Sequence, residues 1–347
     1  MKSILVFLLA VILTFKCAAE PADEAGLRDE VKAKGWIVFP ARSENGDWDL
    51  FLMRPDGSQC HNITHTPDAN ESYPLFSRDG SQLLYRKLAR SENIDGNRYG
   101  EQGAPVIAKS DGTAARVMGK EGEWPWASWS PDGHQVACLS IQGVTFVDIA
   151  SGKVLRTLKR NGFFQQLTWS PDGQWLSGVA NSFGTAWSVA RMNATNGEVN
   201  AVSREDNCTP DWFPDSRRMI FSNRPAEQKV GGQYGWTQLW MAEADGKNPQ
   251  LVYAEDGRHI YGGNVSPDGK YVLFTGNPEE DGDAKNSGSP MALMRVSDAP
   301  IVGGHSAVLR KLHPQAKAGP VLKLPAGWEP CWTYSEAPGT NLPTSKP

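Results

Sequence analysis

Chemistry in this sequence would have to come from six histidines, a few carboxylates set beside aromatic rings, and four cysteines beyond residue 20. The histidines, His61, His65, His134, His259, His305 and His313, are scattered. Cys60, Cys138, Cys208 and Cys331 fit no zinc-ligand spacing. The acidic run Glu279-Glu280-Asp281-Gly282-Asp283 has the composition of a calcium loop. Lys285, however, stands where the third ligand belongs, so it reads as a solvated loop. Glu71, Glu123, Asp206 and Glu329 could act as an acid/base pair only if the fold brings two of them together. Otherwise they are solvated rim charges. These carboxylates belong to a set of short clusters of aromatics, carboxylates and amides: Asn70-Glu71-Ser72-Tyr73, Glu123-Trp124-Pro125-Trp126, Phe163-Phe164-Gln165-Gln166, Asp206-Asn207, Arg258-His259-Ile260-Tyr261 and Trp328-Glu329. Such clusters offer flat stacking area with directional hydrogen bonds, suited to a sugar or a peptide. Rings packed as wedges between neighbouring elements are the alternative.

What positions these clusters is a repeat. Trp129-Ser130-Pro131-Asp132-Gly133 returns as Trp169-Ser170-Pro171-Asp172-Gly173 and as Val265-Ser266-Pro267-Asp268-Gly269. Looser copies are Phe76-Ser77-Arg78-Asp79-Gly80 and Trp212-Phe213-Pro214-Asp215-Ser216, with a degenerate one at Trp332-Thr333-Tyr334-Ser335. Proline presets one turn dihedral, aspartate accepts from nearby backbone N–H groups, and glycine takes the left-handed position. A β-rich run follows each copy, and then a second turn such as Ser110-Asp111-Gly112 or Ala244-Asp245-Gly246. Four strands per repeat, A to D, describe a propeller blade.

The pattern resembles the TolB-like propeller repeat, in which W-S-P-D-G joins strands A and B and x-D-G joins C and D. The resemblance covers residues 36–335 and implies an all-β, six-bladed propeller of four-stranded antiparallel blades. Strands B to D of the first blade, from Trp36, would be completed by a C-terminal A strand, Trp328 to Trp332. A strands near Pro74, Trp126, Gln166, Pro210 and Gly263 begin the others. Residues 296–323 lack the series a seventh blade would need. In this register the tight turns fill one face. The long B–C insertions, Leu88–Gly103, Asn223–Gly235 and Asn277–Ser289, open onto the other, where loops carry function. Glu71, Tyr73, Glu123, Trp124, Trp126, Phe164, Gln166, Asp206, His259, Tyr261, Trp328 and Glu329 are the candidate binding residues, placed in D–A loops on that face. Cys60–Cys331 is the pair a bridge would join, with buried free thiols as the alternative.

The loops and clusters of that face read as a binding module for an envelope protein or an oligosaccharide such as a peptidoglycan fragment, without a cofactor, and the chain as a monomer. Some TolB-like propellers are similar to oligogalacturonate lyases, which gather channel histidines around a metal. Here only His65 and His259 map to the relevant face, so a polysaccharide lyase or hydrolase is the second reading. Prolyl-peptidase-like propellers need a G-x-S-x-G hydrolase domain, which is not seen in these residues. TolB itself carries an α/β domain ahead of its propeller, whereas only residues 20–35 precede the blades here.

Residues 1–19 read as a secretory signal: Lys2, an apolar run Ile4–Phe15 too short to span a bilayer, and small residues before a cut after Ala19. A periplasmic or extracellular location follows. Residues 21–34 are helix-prone, with Asp23 as a cap and Gly35 as a stop, and read as a surface helix or frayed tail on the thin stripe of Leu27 and Val31. Residues 336–347 form a tail. Net charge is -4, from 35 basic and 39 acidic residues, with no basic stripe to recommend nucleic acid.

Overall fold

The computed structural model describes residues 22–92, 94, 102–225, 236–278, 290–304 and 307–336. Six sheets, each built on four antiparallel strands, are arranged as a propeller. Blade 1 takes its A strand from the C-terminal end (Cys331–Thr333) and its B, C and D strands from Trp36–Arg42, Trp48–Met53 and His61–Asn62. The first two pair antiparallel, with Ile37 opposite Trp332. Blade 2 is Ala69–Phe76, Gln82–Ala89, Ala104–Lys109 and Arg116–Val117. Blade 3 is Trp126–Trp129, Gln135–Leu139, Val144–Asp148 and Val154–Leu158. Blade 4 is Phe163–Trp169, Trp175–Ala180, Ser188–Asn193 and Val199–Ala201. Blade 5 is Asp206–Trp212, Arg218–Arg224, Gln238–Glu243 and Gln250–Glu255. Blade 6 is Arg258–Val265, Tyr271–Pro278, Pro290–Arg295 and Leu322–Ala326.

The repeated turns close as their chemistry requires. In Ser130-Pro131-Asp132-Gly133, Ser130 Oγ donates to Asp132 Oδ1 at 2.5 Å and accepts from Gln135 N at 2.9 Å, while His134 N donates to Asp132 at 3.0 Å. The same bonds recur at Ser77, Ser170 and Ser266. Each serine thus ties both ends of its turn. The hydroxyl bonds hold the Asp79 and Asp132 carboxyls below the usual carboxylate range.

Between the C and D strands of blade 6, where a seventh blade would have had to hide, the chain leaves the sheet. Strand Ile301–Gly303 lies parallel to the D strand of blade 5 as its fifth strand, and helix Ala307–Leu312 follows. The excursion covers blade 5's outer edge.

Three sequence expectations change. The A strands start earlier than expected: blade 2's begins at Ala69 rather than near Pro74, blade 5's at Asp206 rather than Pro210, and blade 6's at Arg258 rather than Gly263. Each carries a bulge, so the strand passes through the proline or glycine taken for its start. Second, helix α1 (Ala22–Val31) is neither a frayed tail nor capped at Asp23, which falls inside its first turn. Leu27 and Val31 are completely buried against Phe39, Met53, Leu293 and Trp332 in the seam between blades 6 and 1. Glu30 accepts from Tyr271 Oη and from Arg295 Nη2, the latter at 2.6 Å. Gly35 does stop the helix at a φ of +73°, and a Cβ there would lie 2.0 Å from the Thr333 carbonyl. Third, Cys60 and Cys331 cannot be bridged. Cys331 pairs with Val38, Val38 with Leu52, and Leu52 with His61, the residue after Cys60. Three ladder steps of about 4.8 Å put the two cysteines well beyond disulfide reach. All four thiols are free, and burial pushes Cys331 up to about 12 and Cys208 to about 11.

Candidate functional site

The A strands converge on the propeller axis, and four of them, with the segment leading into a fifth, share one device. Tyr73, Gln166, Thr209, Gly262 and Glu329 all lie in the left-handed region, with φ of 51°, 51°, 51°, 62° and 42°. Three of them stand directly before a proline, at Tyr73-Pro74, Thr209-Pro210 and Glu329-Pro330. The pair drops out of the ladder between Ser72 and Leu75 and between Cys208 and Asp211. Proline has no N–H to lose at a bulge. For a β-branched residue such as Thr209 the left-handed conformation is costly, and it persists only where surrounding bonds enforce it.

Those bonds form a belt around the axis, in which each blade donates to the one before it. Phe76 N donates to Cys331 Sγ at 3.5 Å, Trp129 Nε1 to the Leu75 carbonyl at 3.1 Å, and Trp169 N to Ser128 Oγ at 3.0 Å. Thr209 N donates to Gln166 Oε1 at 2.6 Å, Gly262 N to Thr209 Oγ1 at 3.2 Å, and Trp332 N to Asn264 Oδ1 at 3.0 Å. Asp211 reinforces the seam between blades 5 and 6, accepting from Asn264 Nδ2 at 3.0 Å and Val265 N at 2.9 Å. Burial nonetheless raises its carboxyl to about 6. Inside the belt remains a cavity of about 40 Å³ bordered by Tyr73, Thr168, Thr209, Asp211, Asn264 and Glu329. That is room for roughly three waters, far short of the several hundred Å³ of a small-molecule pocket.

The candidate residues therefore divide. Trp124 packs on Leu84, Ile107 and Met118 in the seam between blades 2 and 3. Trp126, 1% exposed, meets Tyr73 edge-on at 4.8 Å. Gln166 belongs to the belt, and Trp328 packs with Trp48, Leu88 and Ile94. Glu71 is fully buried at the blade 1–2 seam, accepting from Thr64 Oγ1 at 2.6 Å and from Thr66 Oγ1, with Asp49 beside it. Burial raises its carboxyl to about 7. Glu329 is likewise buried. These six are held inside the scaffold rather than presented to a ligand.

Glu123 is exposed and caps Lys120 N at 2.9 Å. Tyr73, Phe164, Asp206, His259 and Tyr261 are half-buried. The last two belong to a polar cluster at the mouth of the axis on the B–C and D–A face. Arg224 donates from Nη2 to Tyr261 Oη at 2.7 Å and from Nε to Thr237 Oγ1 at 2.8 Å. Thr237 N donates to His259 Nδ1 at 3.0 Å, and the His259 and Tyr261 rings stack with centroids 6.0 Å apart. Asp206 pairs across the ladder with Arg224.

Beside this cluster, where Asn207 N donates to the Trp187 carbonyl at 3.2 Å, the candidate Phe164 meets aromatics that sequence reasoning overlooked. Trp187, 39% exposed, meets Phe164 edge-on at 5.3 Å, and Arg204 lies 5.3 Å over the Phe183 ring. Trp187 and Phe183 come from the B–C connection of blade 4, which is too short to stand out as an insertion; its one signal is an aromatic pair flanking Gly184 and Thr185. A groove of about 730 Å³ runs down the adjoining seam between blades 4 and 5, bordered by Arg204, Glu205, Trp240 and His313. The long insertions expected to carry function lie mostly outside the described residues, as does the acidic run 279–283. Among the described residues, no group of three His, Cys, Asp or Glu is placed to hold a metal ion, and no helix is long and apolar enough to cross a membrane.

No protein-family model matches the chain, and no curated protein does. Solved structures do. TolB from Acinetobacter baumannii superposes with a TM-score of 0.60 at 15% identity, over 87% of this chain and 67% of that one. A chain of a nidogen/laminin complex superposes with a TM-score of 0.55 at 9% identity, over 84% of this chain and 100% of that one. An oligogalacturonate lyase in complex with manganese reaches a TM-score of only 0.45 at 16% identity, over 76% of this chain and 71% of that one, too remote to bear on activity. The fold is that of a TolB-like six-bladed propeller.

Proposed function

We propose that this TolB-like propeller is a binding module of the exported cell-envelope type, docking a protein partner on its B–C and D–A face. The observation that carries the reading is the Phe164–Trp187 pair set beside Arg224, His259 and Tyr261 on that face, where Asn207 N donates to the Trp187 carbonyl at 3.2 Å and the neighbouring Asp206 pairs with Arg224. Arginine and large aromatics are the residues that dominate protein interfaces, and here Phe164, Arg224 and Tyr261 stand on strands while Trp187 comes from a short connection. The axial cavity holds only a few waters, which favours a surface partner over a substrate drawn into the channel. The neighbouring groove is large enough to take a side-chain anchor. The apolar run at residues 4–15 supports export, to the periplasm or beyond. The lyase reading has less support, because the described residues assemble no histidine constellation.

The test is photo-crosslinking in the cells that make the full chain. A crosslinking amino acid at Phe164, Trp187 or Arg204 is compared with one at His134 or Lys270 on the turn face. A discrete protein adduct from the first set, absent from the second, is expected. Adducts confined to the turn face, or absent throughout, would contradict the reading. A thermal-shift panel of oligosaccharides with the purified chain forms the control arm, since the Phe164 and Trp187 rings could also stack on sugars.

A further inference from the structure

Every blade of a propeller ends in an outer D strand whose outward backbone groups have no partner within the blade, and such edges are normally shortened or covered. This chain does both. The D strands of blades 1, 2 and 4 are two, two and three residues long. Blade 5's six-residue D strand is covered by the chain's own strand Ile301–Gly303, with Tyr253 opposite Ile301 and Glu255 opposite Gly303. Blade 6's D strand shares the seam filled by α1, where Leu322 and Leu324 pack with Leu27 and Val31.

Among the described residues, the D strand of blade 3, Val154–Leu158, has neither protection. It is five residues long and ends its sheet, and its first four residues are exposed. Val154 and Leu155 are 55% and 52% exposed. Around these aliphatics stand Lys153, Arg156, Lys159 and Arg160, four exposed cations in eight residues without an acid among them. The nearest acid in sequence, Asp148, is taken by its own turn, accepting from Ser151 N at 2.8 Å and Ser151 Oγ at 2.5 Å. The Arg156 guanidinium lies 3.6 Å over the Phe146 ring, which holds the charge on the strand. A second copy fits this edge poorly, because two-fold pairing centred on Arg156 would set like charges opposite one another.

We propose that the outer edge of blade 3 receives an extended, acidic segment of another protein, added to Val154–Leu158 as a fifth strand. Main-chain hydrogen bonds would supply affinity, and the flanking cations would select carboxylates at alternate positions of the incoming strand. The edge lies on the propeller's circumference, separate from the axial face, so this proposal and the preceding one can fail independently.

The probe is a fluorescein-labelled nine-residue peptide alternating Glu with Val and Thr, titrated onto the full mature chain by anisotropy and followed by amide exchange. Saturable binding at or below the order of hundreds of micromolar is expected, with exchange slowed within residues 154–158. Lys159→Glu with Arg160→Glu, and separately Leu155→Glu, should each weaken binding at least about tenfold, or 1.4 kcal/mol. All three positions are exposed, and an unchanged melting temperature verifies the fold. N-methylation of alternate peptide bonds in the probe should abolish binding. No binding at about 1 mM, protection elsewhere, or indifference to N-methylation would overturn the proposal. So would a dimer in sedimentation that Leu155→Glu disperses, since a second copy would then occupy the edge.

Discussion

Glu71 shows how burial decides what a conspicuous residue does. Its type and its neighbour Tyr73 recommend it for a rim site, yet Asp49, Thr64 and Thr66 enclose it from the preceding blade. Those partners lie 5 to 22 residues upstream and meet it only once blades 1 and 2 pack, so nothing local announced them. Burial raises the carboxyl from 4.5 in the unfolded chain to about 7, so the folded state favours the protonated form. The resulting stability is fully present below about pH 4.5 and is lost as pH rises through 7, an effect of up to about 3 kcal/mol. Urea midpoints should therefore fall between pH 5 and pH 8 in the native chain, and Glu71→Gln should flatten that fall. An equal fall in the variant would show that another group is responsible. Asp79 and Asp132 act in the opposite sense, their depressed values costing stability only as pH drops below the ordinary carboxylate range.

Among the elements, α1 has a consequence that its weak stripe did not advertise. Two large apolar residues in ten read as a loose surface helix, because the surface they meet is assembled from blades 1 and 6, at opposite ends of the chain. Leu27→Ala should cost about 2–4 kcal/mol in urea unfolding, as a buried leucine does. A loss below about 0.5 kcal/mol would mean the helix is not docked in solution. Turns and strands were legible where the chemistry is local: the Ser-Pro-Asp-Gly copies announce themselves, and the strands after them follow. Strand starts were not. A proline reads as a boundary, whereas Tyr73-Pro74 and Thr209-Pro210 are bulges inside strands, held by bonds from other blades.

Over the whole molecule, the inter-blade belt ties six A strands to one another around the axis, and the binding proposed above is assigned to the B–C and D–A face. The belt should be sensitive at Asp211. Asp211→Ala leaves the Asn264 amide and the Val265 N–H without their acceptor and should destabilise by about 2–4 kcal/mol, read as a lower unfolding midpoint. Retained stability would show that the seam between blades 5 and 6 does not depend on this carboxylate. Blade number and turn positions were readable from the repeat; the belt was not, because each of its bonds joins residues at least 41 apart. The most direct measurement is the affinity of the crosslinked partner for the native chain and for the double variant Phe164→Ala, Trp187→Ala. Loss of the aromatic pair should weaken binding about thirtyfold or more, equivalent to 2 kcal/mol or above, with the melting temperature nearly unchanged. Undiminished affinity in that variant, with loss on substituting His134 or Lys270 instead, would place the partner on the turn face and contradict the account.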